Sequence, residues 1–169
     1  GVSRQHPDAA ALSVLATVLR NGFLHTAIRE KGGAYGAGAI NDTATNTFKF
    51  FSYRDPKCSE TFSAFKEAIE WSKTSITDQH LEEAILGVVS SIDKPLSPVG
   101  EAKNDFNLNL EDISTKERLE MRQRVINCSI DDLIRVSEKY LTKPSKKSIL
   151  AGKAYSKEAS SLGLNLREV

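Results

Sequence analysis

Cysteine is almost missing from this chain of 169 residues; Cys58 and Cys128 are the two present. They lie far apart and form no CxxC pair, which excludes a cysteine zinc knuckle and a dithiol redox motif. Two free thiols in a reducing compartment are expected, in preference to one structural disulfide. Histidine is as scarce. His6, His25 and His80 show no zinc-ligand spacing between any two of them. No serine stands in a G-x-S-x-G elbow, and neither cysteine lies in a local catalytic signature. The charge has no dominant sign: 23 Lys and Arg face 22 Asp and Glu, for a net charge of +1. That balance gives no support to nucleic-acid binding or to an anionic membrane surface. No uncharged apolar run approaches the ~20 residues of a membrane span. No signal or transit segment is visible.

What is present has the proportions of one ordinary domain, 40% hydrophobic and 27% charged. The chain opens Gly1-Val2-Ser3 without methionine and closes on a polar tail, so residues 1–169 read as a single domain cut from something longer. Pro7 starts a helix on which Leu12, Leu15, Ala16, Leu19, Phe23 and Ala27 recur at helical spacing. Arg29 and Lys31 suit the negative end of its dipole, and Gly32-Gly33 can stop it in a left-handed cap. The helix is expected from about Pro7 to about Lys31. A hairpin follows: a strand over Ala34 to Ile40, a polar turn over Asn41 to Asn46, and a strand over Thr47 to Tyr53. Tyr35, Ala37 and Ala39 would share one face of the first strand.

Helix signals fill the rest. Asp55-Pro56 reads as a cap and first residue, with Phe62, Phe65, Ala68, Ile69 and Ser72 as the buried stripe. Thr77 caps another helix, aided by an Ile76–Leu81 staple, and Pro95 ends it. Ser97-Pro98 opens one that runs to about Leu110. Ser114 with Glu117, and Ser129 with Asp132, are capping boxes. Lys147 to Ala151 reads as a last short strand. The fold class is therefore α+β: an antiparallel sheet with several helices packed on one face. Three strands are few for six helices, so the first strands are expected to precede Gly1.

The glycine-rich stretch Ile28 to Ala39 poses the functional question. A phosphate loop runs strand, glycines, helix. Here the order is helix, glycines, strand, and the glycines meet the wrong end of the dipole. One reading is purely structural, a C-cap followed by a thin strand that lets a helix pack close. The other turns on Arg29 and Tyr35. A guanidinium and a phenol at one sheet edge can both donate hydrogen bonds to a carbonyl or an oxyanion. His80 to Ala84 is similar to H-x-x-E-H with the last histidine replaced by alanine, which leaves an imidazole in the first turn of a helix. Tyr53, Arg54, Asp55 and Pro56 read as a strand end and a helix start.

The stretch LHTAIREKGGAYGAGA, followed by FFSYRDP, resembles the C-terminal region of the presequence protease and falcilysin branch of the pitrilysin/insulinase zinc metallopeptidases. The likeness runs from about Pro7 to about Leu150. It implies a large enzyme of four related α/β domains in two halves, which close around an unfolded peptide. It implies a zinc held in the first domain by H-x-x-E-H and a distal glutamate, and no metal in the last domain. It implies that the last domain contributes an arginine and a tyrosine to the substrate, here Arg29 and Tyr35. The expected partners are the N-terminal half of the same polypeptide and unfolded peptides, with no nucleic acid and no membrane. The expected setting is intracellular and soluble, a bacterial cytoplasm or an organelle matrix. By itself the fragment should bind no zinc and cleave nothing. The alternatives are a non-catalytic subunit of the same family and an α/β interaction domain whose glycine strand joins a partner's sheet.

Overall fold

A computed structural model describes residues 1–167. One long helix organises them. Its first part, α1 (Ala9–Leu19), buries nine side chains. It packs against α3 (Asp78–Ile92), α5 (Thr115–Ile126), α6 (Ile130–Val136) and the hairpin. By length and mean hydropathy, Ala9–Glu30 would suffice to cross a membrane, but half of its most apolar window is buried inside the protein. It is the core helix.

The expected helix is present, but it widens. From Arg20 to Glu30 the backbone is π-helical, and Lys31 N–H donates to the Thr26 carbonyl five residues back. Each wide turn holds an extra residue. The apolar stripe shifts accordingly: after Leu19 the buried side chains are Leu24 and Ile28, with the expected Phe23 and Ala27 only half-buried. Asn21 and Gly22 fall where the widening begins, and both are poor α-helix formers.

The helix ends as the two glycines require. Gly33 has φ +83, a backbone that glycine adopts without cost. Gly33 N–H bonds the Arg29 carbonyl and Ala34 N–H the Ile28 carbonyl, a Schellman-like closure one residue wider than usual. A Cβ on Gly32 would collide with the Ile28 carbonyl oxygen. The chain then turns straight into β1 (Gly36–Asp42), which pairs antiparallel with β2 (Thr47–Tyr53). The turn is tighter than expected. Asn41 and Asp42 belong to β1, and Asp42 accepts bonds from the Ala44 and Thr45 N–H groups and from Lys49. Asn41 instead ties the hairpin to α1, donating to the Ala9 carbonyl and to Ser13 Oγ.

Among the described residues this two-stranded hairpin is the whole sheet. Residues 147–151 form no strand, since they lack a neighbouring edge to complete a ladder. The fold is α+β, as the sequence indicates. α2 (Cys58–Thr74) begins two residues later than Pro56 predicts. Asp55 still serves its N-terminus, accepting from Lys57 N–H and Thr61 Oγ1. Glu158 of α7 (Ser156–Ser161) accepts from Ser59 N–H in the first turn of α2. The capping boxes at Ser114 and Ser129 form as read. α4 (Pro98–Leu110) has the expected bounds but buries nothing. Both cysteines are free, and burial pushes the Cys128 thiol up to about 12.

Candidate functional site

The wide C-terminal end of the core helix and the open end of the hairpin meet at one hollow. It is open to solvent, has a volume of about 620 Å³, and is lined by His25, Arg29, Glu30, Gly33, Ala34, Tyr35 and Arg54. The two residues singled out in the sequence, Arg29 and Tyr35, are both on its wall. Tyr35 is 67% exposed. Arg29 is exposed too, in the last turn of the helix, where its charge suits the dipole.

The helical side of the wall is a relay of three side chains. Arg29 Nη1 lies 3.2 Å from His25 Nε2, and His25 Nδ1 lies 3.2 Å from Glu30 Oε1. A guanidinium only donates, so Nε2 must accept and the imidazole proton must reside on Nδ1, facing Glu30. The π-helix makes this triangle possible. In an α-helix, residues five apart do not share a face. In the wide turn both the fourth and the fifth residue after His25 come alongside it.

The hairpin side is aromatic. Tyr35 N–H bonds the Arg54 carbonyl at 3.3 Å, which extends the ladder one step beyond the Gly36–Tyr53 pair. The Tyr35 and Tyr53 rings meet edge to face with centroids 6.0 Å apart. The Arg54 guanidinium stands 5.7 Å from the Tyr35 centroid and 5.5 Å from that of Tyr53. Sequence reasoning passed over His25, Glu30 and Arg54 as members of the site. Arg54 had a readable signal: if Tyr35 enters one strand of a hairpin as Tyr53 leaves the other, Arg54 must lie across from Tyr35.

His80 is elsewhere. Its Nδ1 accepts from Thr77 N–H and closes a capping box, while its ring packs edge-on to Trp71. Among the described residues, no group of three or more His, Cys, Asp or Glu could hold a metal ion. The donors at the hollow suit a negatively charged or carbonyl oxygen.

Comparison with known proteins gives this hollow a context. The family model described as the PreP C-terminal domain matches residues 7–150. The mitochondrial presequence protease of Eremothecium gossypii is 40% identical over 147 residues, which are 86% of this chain and 14% of that protein. That of Xenopus tropicalis is 41% identical over 138 residues, 81% of this chain and 13% of its own length. That of Mus musculus is 40% identical over 136 residues, 80% of this chain and again 13% of the relative. The chain spans about a seventh of the length of these relatives. With most of the chain matched, from the core helix through the hairpin to the helices beyond, it belongs to the PreP C-terminal domain family.

Proposed function

We propose that this domain forms one wall of the active site of a zinc-dependent peptidase that degrades unfolded peptides within a closing chamber. Arg29 and Tyr35 are its substrate-contacting residues. The observation that carries this reading is their convergence on one open hollow, with Tyr35 largely exposed. Among the described residues no ligand set for a metal is present; the family likeness implies that the groups that cleave the peptide belong to another domain of the same polypeptide. The presequence proteases it resembles are named as mitochondrial, and a mitochondrial setting is the one proposed here.

The chemistry assigned to each residue follows from its donors. Attack on a peptide carbonyl builds negative charge on its oxygen. A phenol donates one short hydrogen bond to that oxygen, and such a donor is worth ~3–4 kcal/mol in the transition state. A guanidinium carries a permanent charge and a fork of N–H donors, and it can hold an adjacent backbone carbonyl in register. His25 accepts from one of those N–H groups and so fixes which of the others face the hollow. Because both groups come from the wall opposite the cleaving machinery, turnover requires closure of the two halves.

The test is Tyr35→Phe in the intact polypeptide. Peptide turnover should fall about a hundredfold, the usual loss for one oxyanion donor, while the thermal midpoint stays where it was. Unchanged turnover would sink the reading.

A further inference from the structure

The hollow contains a second arginine that the reading above does not use. Arg54 stands directly after β2, and its backbone is left-handed, with φ 49. That region is costly for a long side chain and persists where surrounding contacts impose it. Two contacts do so, and both involve Tyr35. The Arg54 carbonyl accepts the Tyr35 N–H, and the guanidinium lies within cation–π range of the Tyr35 ring. The same guanidinium is equally near Tyr53, whose ring meets Tyr35 edge to face. Among the described residues Arg54 has no carboxylate partner and no hydrogen-bond acceptor for its side chain. Its long side chain is spent on the two tyrosines.

We infer that Arg54 is a positioning residue for Tyr35: its carbonyl fixes the tyrosine backbone, and its guanidinium, backed by Tyr53, fixes the direction of the phenol. This rests on the proposed role of Tyr35 in turnover. The physical case is one of pre-organisation. Tyr35 is exposed at the open end of a two-stranded sheet, where a ring is otherwise free to rotate. A hydroxyl that stabilises a developing charge must be aimed before the charge appears. A planar cation against one ring, which is itself propped by a second ring, restricts that rotation without occupying the hydroxyl. Lysine would supply charge but no flat face to stack.

The experiment is a double-mutant cycle in the intact polypeptide. Arg54→Asn suits the left-handed backbone and keeps the carbonyl bond, so it removes the side chain without disturbing the turn. It should lower kcat about five- to tenfold with KM little changed, in line with the strength of a partly desolvated cation–π contact. Arg54→Lys should recover only part of that loss. In a Tyr35→Phe background Arg54→Asn should cost almost nothing more, because the hydroxyl it aims is gone. Tyr53→Ala removes the ring that backs the guanidinium and should resemble Arg54→Asn. A full loss on adding Arg54→Asn to Tyr35→Phe would overturn the inference, since Arg54 would then be acting on the substrate itself. A large effect of Tyr35→Phe with none from Arg54→Asn would overturn it as well. A silent Tyr35→Phe would remove the underlying reading of the site, and the positioning role with it.

Discussion

The two ends of the core helix carry similar charged and aromatic residues and use them in opposite ways. At its start Asp8 is buried, with 4% of its surface exposed. Arg135 reaches one of its carboxylate oxygens at 2.7 Å, and Lys139 and Tyr140 reach the other at 2.8 and 2.7 Å. About 30 Å away, at a rise of roughly 1.5 Å per residue, Arg29 and Tyr35 line an open hollow. Both ends obey the helix dipole, with the acid at the N-terminus and the cation at the C-terminus. The difference is whether the donors are spent. Around Asp8 an arginine, a lysine and a tyrosine converge on one acid, which clasps α6 and its continuation to the start of α1. Around Tyr35, among the described residues, the guanidinium of Arg54 contacts two aromatic rings and no acceptor, and the tyrosine hydroxyl makes no hydrogen bond. Residue type alone does not separate a structural cluster from a recognition site; the balance of donors and acceptors does.

That contrast can be broken by crossing the two readouts. The largest effect on stability should come from Asp8→Asn, which leaves Arg135 and Lys139 facing a neutral group and costs about 3 kcal/mol. Urea unfolding of the domain measures it. If peptide turnover fell further than loss of folded protein explains, the Asp8 end would be more than structural. The acid dependence sharpens the same point. Burial pushes the Asp8 carboxyl up, but the hydrogen bonds from Lys139, Tyr140 and Arg135 outweigh it and hold the group well below the usual carboxylate range. Its folded pKa is thus below its unfolded one. Its contribution is complete above about pH 4, the ordinary aspartate value, and is lost as pH falls from there toward the folded pKa. Stability measured between pH 5 and pH 2 should fall less steeply in Asp8→Asn than in the parent.

At the other end the expected effects are on turnover. Arg29→Gln should lower kcat/KM about tenfold, the loss of one charge-assisted hydrogen bond, and leave unfolding within the ±0.5 kcal/mol typical of an exposed site. A drop in stability comparable to that of Asp8→Asn would show Arg29 to be structural after all. The smallest change belongs to His25→Ala. It removes the acceptor that aims Arg29, and should raise KM about threefold, as expected for an exposed contact worth less than 1 kcal/mol. If KM is unmoved, the histidine does not orient the arginine.

Much of the frame was legible in the sequence because its signals are local. Ser114, Ser129 and Thr77 cap where they were read, since a cap is a bond within three residues. Gly33 ends the helix because a positive φ is a property of one residue. Asp55 was read two residues off, capping from outside the helix it serves. The strand over residues 147–151 failed for the opposite reason: a strand exists only against a partner, and local propensity cannot supply one. Arg29 and Tyr35 were singled out through the order helix, glycines, strand. Arg54 was not, because its place beside Tyr35 depends on the pairing of two strands.

By itself, then, the sequence determined where helices begin and end, that the glycine run is a stop and not a phosphate cradle, and which arginine and tyrosine flank it. Tertiary structure decided the rest. The core helix widens after Leu19, which moves the buried stripe onto Leu24 and Ile28 and brings Arg29 and Glu30 together on His25. The hairpin closes with Tyr53 and Arg54 against Tyr35. The reason is physical: caps and turns are settled by bonds across three or four residues, whereas helix winding and the direction of an exposed ring are settled by what packs against them from elsewhere in the chain.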